Sequence, residues 1–263
     1  MMQNSSFLDS LKIQCRVIVA LLLREAITRF GRHNIGFMWL FVEPMLFTMG
    51  VTSLWIITKG VHGFRLPIVA FAVTGYSSVL LWRNSVSRCV KAIEPNTSLL
   101  YHRNVKVLDL FLARTLLEIL GASMSFIVLT LSLAFFDWML LPQDVLTMIM
   151  AWFLLAWFAV SLGMIVGSLT DKSEMISRAW TTISYLMFPL SGAVFMVDWL
   201  PKAAQDVVLL FPMVHATEML RHGYFGGVVR TYEDPAYLIV VNITLSMIGL
   251  LLVRRASNRV ELV

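Results

Sequence analysis

Residues 145–169 read VLTMIMAWFLLAWFAVSLGMIVGSL, an apolar run without a charged side chain. About 20 mainly apolar residues cross the ~30 Å of bilayer hydrocarbon as an α-helix, because each residue adds about 1.5 Å. Four other stretches meet or nearly meet this criterion, and a further one is short but free of internal charge. The four are Ile35–Ile57, Leu110–Phe136, Ala179–Val197 and Ala236–Val253, and the short one is Leu66–Trp82. The sequence therefore predicts an all-α integral membrane protein with six transmembrane helices.

The composition predicts a single membrane domain over residues 1–263. Of these residues 58% are hydrophobic and 14% are charged, whereas soluble chains carry roughly a quarter charged residues. No stretch between the spans is both long and polar enough for a separate soluble domain. The enzyme signatures G-x-x-x-x-G-K-[ST], H-E-x-x-H and G-x-S-x-G are absent from the sequence. We therefore expect a chain that is not an enzyme and that binds neither ATP nor another cofactor by itself.

The charges between the spans predict the orientation. With both ends in the cytoplasm, the cytoplasmic segments hold 16 Lys and Arg residues and the outer segments hold 5. This excess follows the positive-inside rule, so we expect a multi-pass inner-membrane protein with both termini cytoplasmic. The net charge of +5 sits largely at membrane edges, and no nucleic-acid partner is expected. Cys15 and Cys89 both fall on the cytoplasmic side, where no disulfide is expected.

Three segments outside the spans have distinctive patterns. Residues 7–30 combine apolar residues at helical spacing with several Arg, which is typical of an amphipathic helix in the headgroup layer. Residues 83–109 form the longest cytoplasmic connection, where Glu94-Pro95-Asn96 predicts a turn or helix stop beside a short surface helix. In residues 198–230, two prolines bracket an apolar run too short to span. That pattern predicts two re-entrant helices, Pro201–Leu210 and Met213–Tyr224.

Several polar or small residues within these elements are ambiguous. His215, Glu218 and His222 share one helical face, so they could ligate a metal, although Glu218 paired with Arg221 or the histidines fits as well. Glu43 precedes a helix-kinking proline in the first span and is either a pathway residue or an ion-pair partner of Arg29 or Arg32. Gly163 and Gly167 form a small-xxx-small face that packs within one chain or between two. We predict no metal site.

The order of motifs resembles a known family over essentially the whole chain. LLREAITRFG at 22–31 leads into IGFMWLFVEP at 35–44. FPLSGAVF at 188–195, WLP at 199–201 and FPMVHATEMLR at 211–221 follow. This resembles the membrane subunit of type-two ABC exporters, and within them the KpsM/BexB/CtrC-like permeases for capsular polysaccharide. The resemblance implies a homodimer above two copies of a cytoplasmic ABC ATPase that binds ATP and Mg. It also implies periplasmic adaptor and outer-membrane export proteins as partners, and a lipid-linked, acidic glycan as cargo.

The resemblance also implies a mechanism in which ATP-driven closure of the partner pushes on the 83–109 loop. We expect four groups of residues to carry it. A substrate entrance comprises Arg24, Arg29, Arg32 and His33, because Arg suits phosphate and carboxylate groups. A translocation path comprises Trp39, Glu43, Trp180 and Tyr185, and the rings of its three aromatic members could stack on sugars. We expect the residues that couple the chain to the ATPase to be Arg88, Lys91, Glu94 and Arg103. We expect the outer exit to be lined by His215, Glu218 and Arg221.

Three alternative functions remain open from the residues. The first is export of O-antigen or another cell-surface glycan by the same machinery. The second is an integral-membrane enzyme acting on lipid-linked sugars, which would need catalytic acids and histidines gathered on one side, whereas the five histidines here scatter over both. The third is a secondary transporter, which would be active in an ion gradient without an ATPase.

Overall fold

The computed structural model describes residues 7–30, 34–59, 66–101 and 105–260. Within these ranges the secondary structure is helical, with ten α-helices and three short 3₁₀ turns. The helices are α1 (Phe7–Phe30), α2 (Asn34–Lys59), α3 (Ile68–Cys89), α4 (Thr97–Leu100), α5 (Val107–Phe135), α6 (Val145–Thr170), α7 (Glu174–Leu190), α8 (Lys202–Val208), α9 (Pro212–Phe225) and α10 (Pro235–Val260). The 3₁₀ turns are Glu94–Asn96, Val197–Trp199 and Gly226–Val228. The prediction of an all-α membrane protein is confirmed.

Three of the described helices, α5, α6 and α10, are long and apolar enough to cross a membrane, and α2 contains the shorter apolar segment Val42–Ile57. Helix α3 extends beyond the predicted Leu66–Trp82 through Arg83 and Arg88. Helix α7 begins earlier than predicted and stops at Leu190, so the predicted span Ala179–Val197 is wrong in its bounds. The backbone turns at Gly192, which has a φ of 80°, a conformation that glycine adopts at little cost. The count of six spans stays a prediction.

Helices α3 and α6 form the centre of the bundle. Helix α6 packs against α10, α3 and α9, and α3 packs also against α5 and α2. Every residue from Ala70 to Trp82 on α3 is buried. Gly163 and Gly167 permit this packing, because a Cβ on Gly167 would lie 2.6 Å from the Phe111 ring and one on Gly163 would lie 3.1 Å from the Cys89 sulfur. The small-xxx-small face therefore packs within the protomer.

The segment between α7 and α10 folds back into the bundle. Helices α8 and α9 match the two short helices predicted there, Pro201–Leu210 and Met213–Tyr224. Helix α9 is buried along most of its length and packs against α6, α10 and α3. The loop between α5 and α6 is hydrogen-bonded to the C-terminal end of α9. The amides of Gln143 and Asp144 donate to the carbonyls of Tyr224 and Gly223 at 3.3 and 2.8 Å.

Helix α1 confirms the helix predicted over residues 7–30. It packs mainly against α5 and more lightly against α2. Within α1, Leu21 and Ala26 are buried, whereas Leu11, Val19, Leu23 and Ile27 are exposed. An exposed apolar face beside several Arg side chains suits a helix in the headgroup layer.

Candidate functional site

One end of the bundle, which we name the coupling end because the predicted coupling loop 83–109 lies there, contains a network of charged side chains built around Glu118, on α5. Glu118 is almost fully buried and accepts hydrogen bonds from Arg29 of α1 and from Arg88 Nε of α3, the latter at 2.9 Å. Arg29 also lies 3.5 Å from the carboxylate of Glu43 on α2. We call these four residues the Glu118 network. It joins four helices through charge-assisted hydrogen bonds, which are the stronger kind in proteins.

Further polar contacts attach α1 to the same end of the bundle. Arg114 Nε lies 3.3 Å from the carboxylate of Glu25, and Gln14 donates to Asp109 at the start of α5. Arg24 donates to the side chain of Asn96 at 3.0 Å, and Asn96 belongs to the turn after α3. This hydrogen bond links the turn directly to α1.

The turn after α3 meets the connection between α6 and α7 across a polar cleft of about 250 Å³. The Lys91 amide donates to the Thr170 hydroxyl at 3.3 Å, and Lys91 Nζ lies 3.9 Å from the carboxylate of Glu174. Lys91 has a φ of 48°, a left-handed conformation. Glu94 lines the cleft and is exposed. Burial raises the pKa of Asp171, in the same cleft, above its ordinary value, and Arg259 opposes this shift.

The four predicted coupling residues therefore differ in their surroundings. Lys91 and Glu94 are exposed on the surface that a partner could touch. Arg88 is also exposed, but its guanidinium has a partner within the chain, because Arg88 Nε donates to Glu118. Arg103 lies outside the described residues. The short helix predicted in this loop corresponds to the 3₁₀ turn Glu94–Asn96 followed directly by α4.

The predicted entrance residues that the structure describes belong to the contacts of α1. Arg24 bonds to Asn96 and Arg29 to Glu118, so both guanidinium groups have partners within the chain. Arg32 and His33 lie outside the described residues. The alternative for Glu43 as an ion-pair partner of Arg29 is confirmed, and its side chain remains largely exposed.

The four predicted path residues do not share one environment. Trp39 and Tyr185 expose their rings, and the guanidinium of Arg83 lies 4.3 Å from the Tyr185 ring centre. Trp180 is instead buried against Val86 and Val166, so its ring has no face open to a sugar in the protomer. Trp180 contributes to packing in the protomer, and its place on a translocation path stays a prediction. The exposed rings on α2 and α7, those of Trp39 and Tyr185, leave a face open on which a sugar could stack.

The three predicted exit residues, His215, Glu218 and Arg221, lie inside the protomer. Arg221 is fully buried and donates to the carbonyls of Gly192, Ala193 and Phe195 at 2.6 to 2.8 Å. These carbonyls belong to the turn after α7, so Arg221 fastens α9 to α7. In the protomer their polar atoms are used internally, and a role of these residues at an outer exit stays a prediction.

Glu218 and His215 connect α9 to the surrounding loops. Glu218 accepts from the amides of Val197 and Tyr232, both at 3.3 Å. His215 Nε2 bonds to the Leu209 carbonyl at 2.7 Å, and its Nδ1 accepts from the Asp234 amide at 3.0 Å. Both nitrogens of His215 are occupied, and His222 pairs with Glu233. Among the described residues, no group of three possible ligands converges as a metal site would require.

Glu118 was not among the residues predicted from sequence. A signal was present, because Glu118 falls well inside the predicted span Leu110–Phe136, where a carboxylate is costly unless it has a partner. Its partners Arg29 and Arg88 lie 89 and 30 residues away. Nothing in the local pattern connects them to it.

The arrangement described so far is a helical membrane bundle with an N-terminal helix packed along it, a polar end around the Glu118 network, and the short helices α8 and α9 toward the opposite end. Residues 16–225 match the family described as ABC-2 type transporter. The chain belongs to this family. The family is described as one of transporters, which agrees with the prediction that this chain is not an enzyme.

This ABC-2 type chain is similar to several named export proteins along nearly its whole length. It is 48% identical to the capsule polysaccharide export inner-membrane protein CtrC of Neisseria meningitidis, over 99% of this chain and 98% of that protein. It is 46% identical to the capsule polysaccharide export inner-membrane protein BexB of Haemophilus influenzae, over 98% and 97%. The polysialic acid transport protein KpsM of Escherichia coli is 28% identical over 92% and 94%.

Proposed function

We propose that this chain is the inner-membrane permease subunit of an ATP-driven exporter of capsular polysaccharide. The observation that carries the proposal is the near full-length similarity to proteins named for capsule polysaccharide export, at 46 to 48% identity. A polar coupling end, separated by membrane helices from a re-entrant outer end, is the architecture that such a task needs. The cargo in this proposal is a lipid-linked acidic glycan.

The proposed assembly is a homodimer of this chain above two copies of a cytoplasmic ABC ATPase, with both termini of each chain in the cytoplasm. Periplasmic adaptor and outer-membrane export proteins receive the glycan. ATP and Mg are held by the ATPase. The cleft containing Lys91 and Glu94 is the proposed docking surface, because it is exposed, polar and formed by two loops at once.

The proposed mechanism follows the contacts at the coupling end. A push on the turn Glu94–Asn96 reaches α1 through the bond between Arg24 and Asn96. It reaches α6 and α7 through the contacts of Lys91 with Thr170 and Glu174. Both routes begin at the same turn, so one ATPase movement can displace the N-terminal helix and the α6–α7 corner together.

Substrate handling in this proposal uses the α1–α2 junction and the exposed aromatic surface. The entrance is at the Arg-rich end of α1, where Arg24, Arg29, Arg32 and His33 attract the acidic linker or headgroup. Sugars then pass along Trp39, Glu43 and Tyr185. If alanine at both Arg29 and Arg32 left export at the wild-type level, this entrance would be wrong.

The decisive experiment is a mild-detergent purification of the C-terminally tagged chain, co-expressed with its genomic neighbours. We expect a stoichiometric ATPase, two copies per two permeases, and restored surface capsule in a permease-deletion strain. Glu94→Lys reverses the charge on the docking surface and should reduce ATPase recovery. Asp206→Lys makes the same change on exposed α8 and should not. A chain that remains solitary overturns the ATP-driven proposal, whereas an ATPase complex that restores O-antigen but no capsule overturns the cargo.

A further inference from the structure

The membrane-facing surface of α5 and α6 contains a groove of about 530 Å³. Its floor is formed by the rings of Phe126 and Trp152, which stack with centroids 4.8 Å apart at 12°. Its rims are the exposed side chains of Ile127 on α5 and of Ile149 and Phe153 on α6. Both helices are long and apolar enough to span the membrane, so the open side of the groove faces lipid.

The chemistry of the groove excludes a polar occupant. None of its lining residues is charged. The indole N–H of Trp152 is used internally, because it donates to the Ser123 hydroxyl at 2.8 Å, and that hydroxyl donates to the Ile119 carbonyl at 2.6 Å. The other polar side chain in the lining, Thr130, keeps its hydroxyl oxygen buried. A sugar or an ordinary loop would therefore lose most of its hydrogen bonds with water here. A hydrocarbon chain would lose nothing and fill the space.

The dimensions of the groove match one leaflet. On α5 it runs from Ile119 to Leu131, which is about 18 Å at about 1.5 Å per residue. Half of the bilayer hydrocarbon is roughly 15 Å. The groove ends at Leu141 and Pro142 in the α5–α6 loop, at the end of the bundle opposite the coupling turn. An acyl chain lying in it would therefore begin at the headgroup level of that leaflet.

The loop over this end carries negative charge. Residues 136–144 include Asp137 and Asp144 and no Lys or Arg, and both acids are exposed. The hydroxyl and amide of Thr147 hydrogen-bond to Asp144 and lower the pKa of its carboxyl, which keeps it ionised. The nearest cationic candidate, His222, pairs with Glu233. An ammonium headgroup is attracted to this loop, and an anionic headgroup is repelled.

We propose that the α5–α6 groove binds one acyl chain of an ammonium-headgroup phospholipid from the leaflet opposite the coupling end. The lipid fills a gap that the two helices leave between them and fixes the α5–α6 loop, which in turn holds the end of α9 through Gln143 and Asp144. This inference goes beyond the proposed function and does not depend on it, because a chain with a different cargo would have the same groove.

The test is native mass spectrometry of the full chain released from nanodiscs that contain equal amounts of phosphatidylethanolamine and phosphatidylglycerol. We expect one retained lipid per chain, with phosphatidylethanolamine favoured. Ala156→Phe fills the inner end of the groove and Val145→Trp blocks its exposed mouth, and each should reduce retention about tenfold, which equals about 1.4 kcal/mol. Met247→Phe adds a ring to an exposed face of α10 and should leave retention unchanged.

A substitution that removes a charge but keeps the side-chain shape tests the headgroup preference. Asp137 has a φ of 59°, a conformation that Asn also tolerates, so Asp137→Asn removes the charge and keeps the loop. It should bring the two lipids toward equal retention. Equal retention by wild type and both groove-filling variants would overturn the proposal. So would a disulfide between two copies of Ile127→Cys in a Cys15→Ser background, since a second chain would then cover the groove.

Discussion

Replacing Glu118 with Gln tests whether the Glu118 network holds α1 and α3 onto α5. The change keeps the shape and an acceptor oxygen but removes the negative charge. The Glu118 side chain is only 7% exposed, and its partners Arg29 and Arg88 are 20% and 43% exposed. Losing a charge-assisted bond to the mostly buried Arg29 costs about 2 kcal/mol, and the more exposed Arg88 pair adds up to about 1 kcal/mol.

The expected loss of stability is therefore about 3 kcal/mol, which lowers Tm by roughly 6–12 °C for a chain of this size. The assay is thermal unfolding of the purified protein in detergent, followed by fluorescence. Glu174→Gln is the matched control, because Glu174 is 64% exposed and its partners Lys91 and Arg178 are 44% and 79% exposed. It should shift Tm by less than about 2 °C.

A double-mutant cycle makes the reasoning refutable. If Glu118 and Arg29 act as one unit, Arg29→Gln combined with Glu118→Gln should cost less than the two single changes added together. A Glu118→Gln protein that unfolds within about 2 °C of wild type would refute the network as a stabilising element. Strict additivity of the two changes would refute the contact between them.

Three further predictions concern other parts of the fold. Gly75→Ala should destabilise the fold by about 1–3 kcal/mol, since the added Cβ would lie 2.4 Å from the Ala193 carbonyl oxygen. At Gly50 an added Cβ meets nothing within 4 Å, so Gly50→Ala should stabilise the fold by about 0.5–1 kcal/mol. Thermal unfolding of the two variants compares these effects. Lys91→Gly should raise stability by up to about 1 kcal/mol by relieving its positive φ, and a lower Tm would contradict this. Burial raises the pKa of Glu218 from 4.5 to about 7, so the folded state keeps a proton that the unfolded state releases. Stability should fall by about 3 kcal/mol as pH rises from 4.5 through 7, and Glu218→Gln should remove that slope in a Tm series over pH.

The linear pattern of the sequence determines the all-α class and the helices at both ends of the bundle. Charge-free runs such as 145–169 dictate membrane helices, because an unpaired backbone in hydrocarbon is too costly for any other conformation. Pro201 and Pro212 mark where α8 and α9 begin, since proline fixes the first helical turn and cannot continue a preceding one. These are local effects, and the predicted helices at 7–30, 201–210 and 213–224 correspond to α1, α8 and α9.

The partners of the polar side chains depend on the tertiary structure. His215, Glu218 and Arg221 share a helical face, and the sequence does not distinguish a face lining an exit from one bonded to neighbouring loops. Only the fold brings the carbonyls of Gly192 and Ala193, nearly 30 residues away, to the Arg221 guanidinium. Glu118 and Arg29 meet for the same reason. Hydrogen bonds and ion pairs act over a few ångströms, so they depend on which segments the packing of the helices brings together. Apolar periodicity specifies that a helix face is buried, but it does not specify which element covers that face.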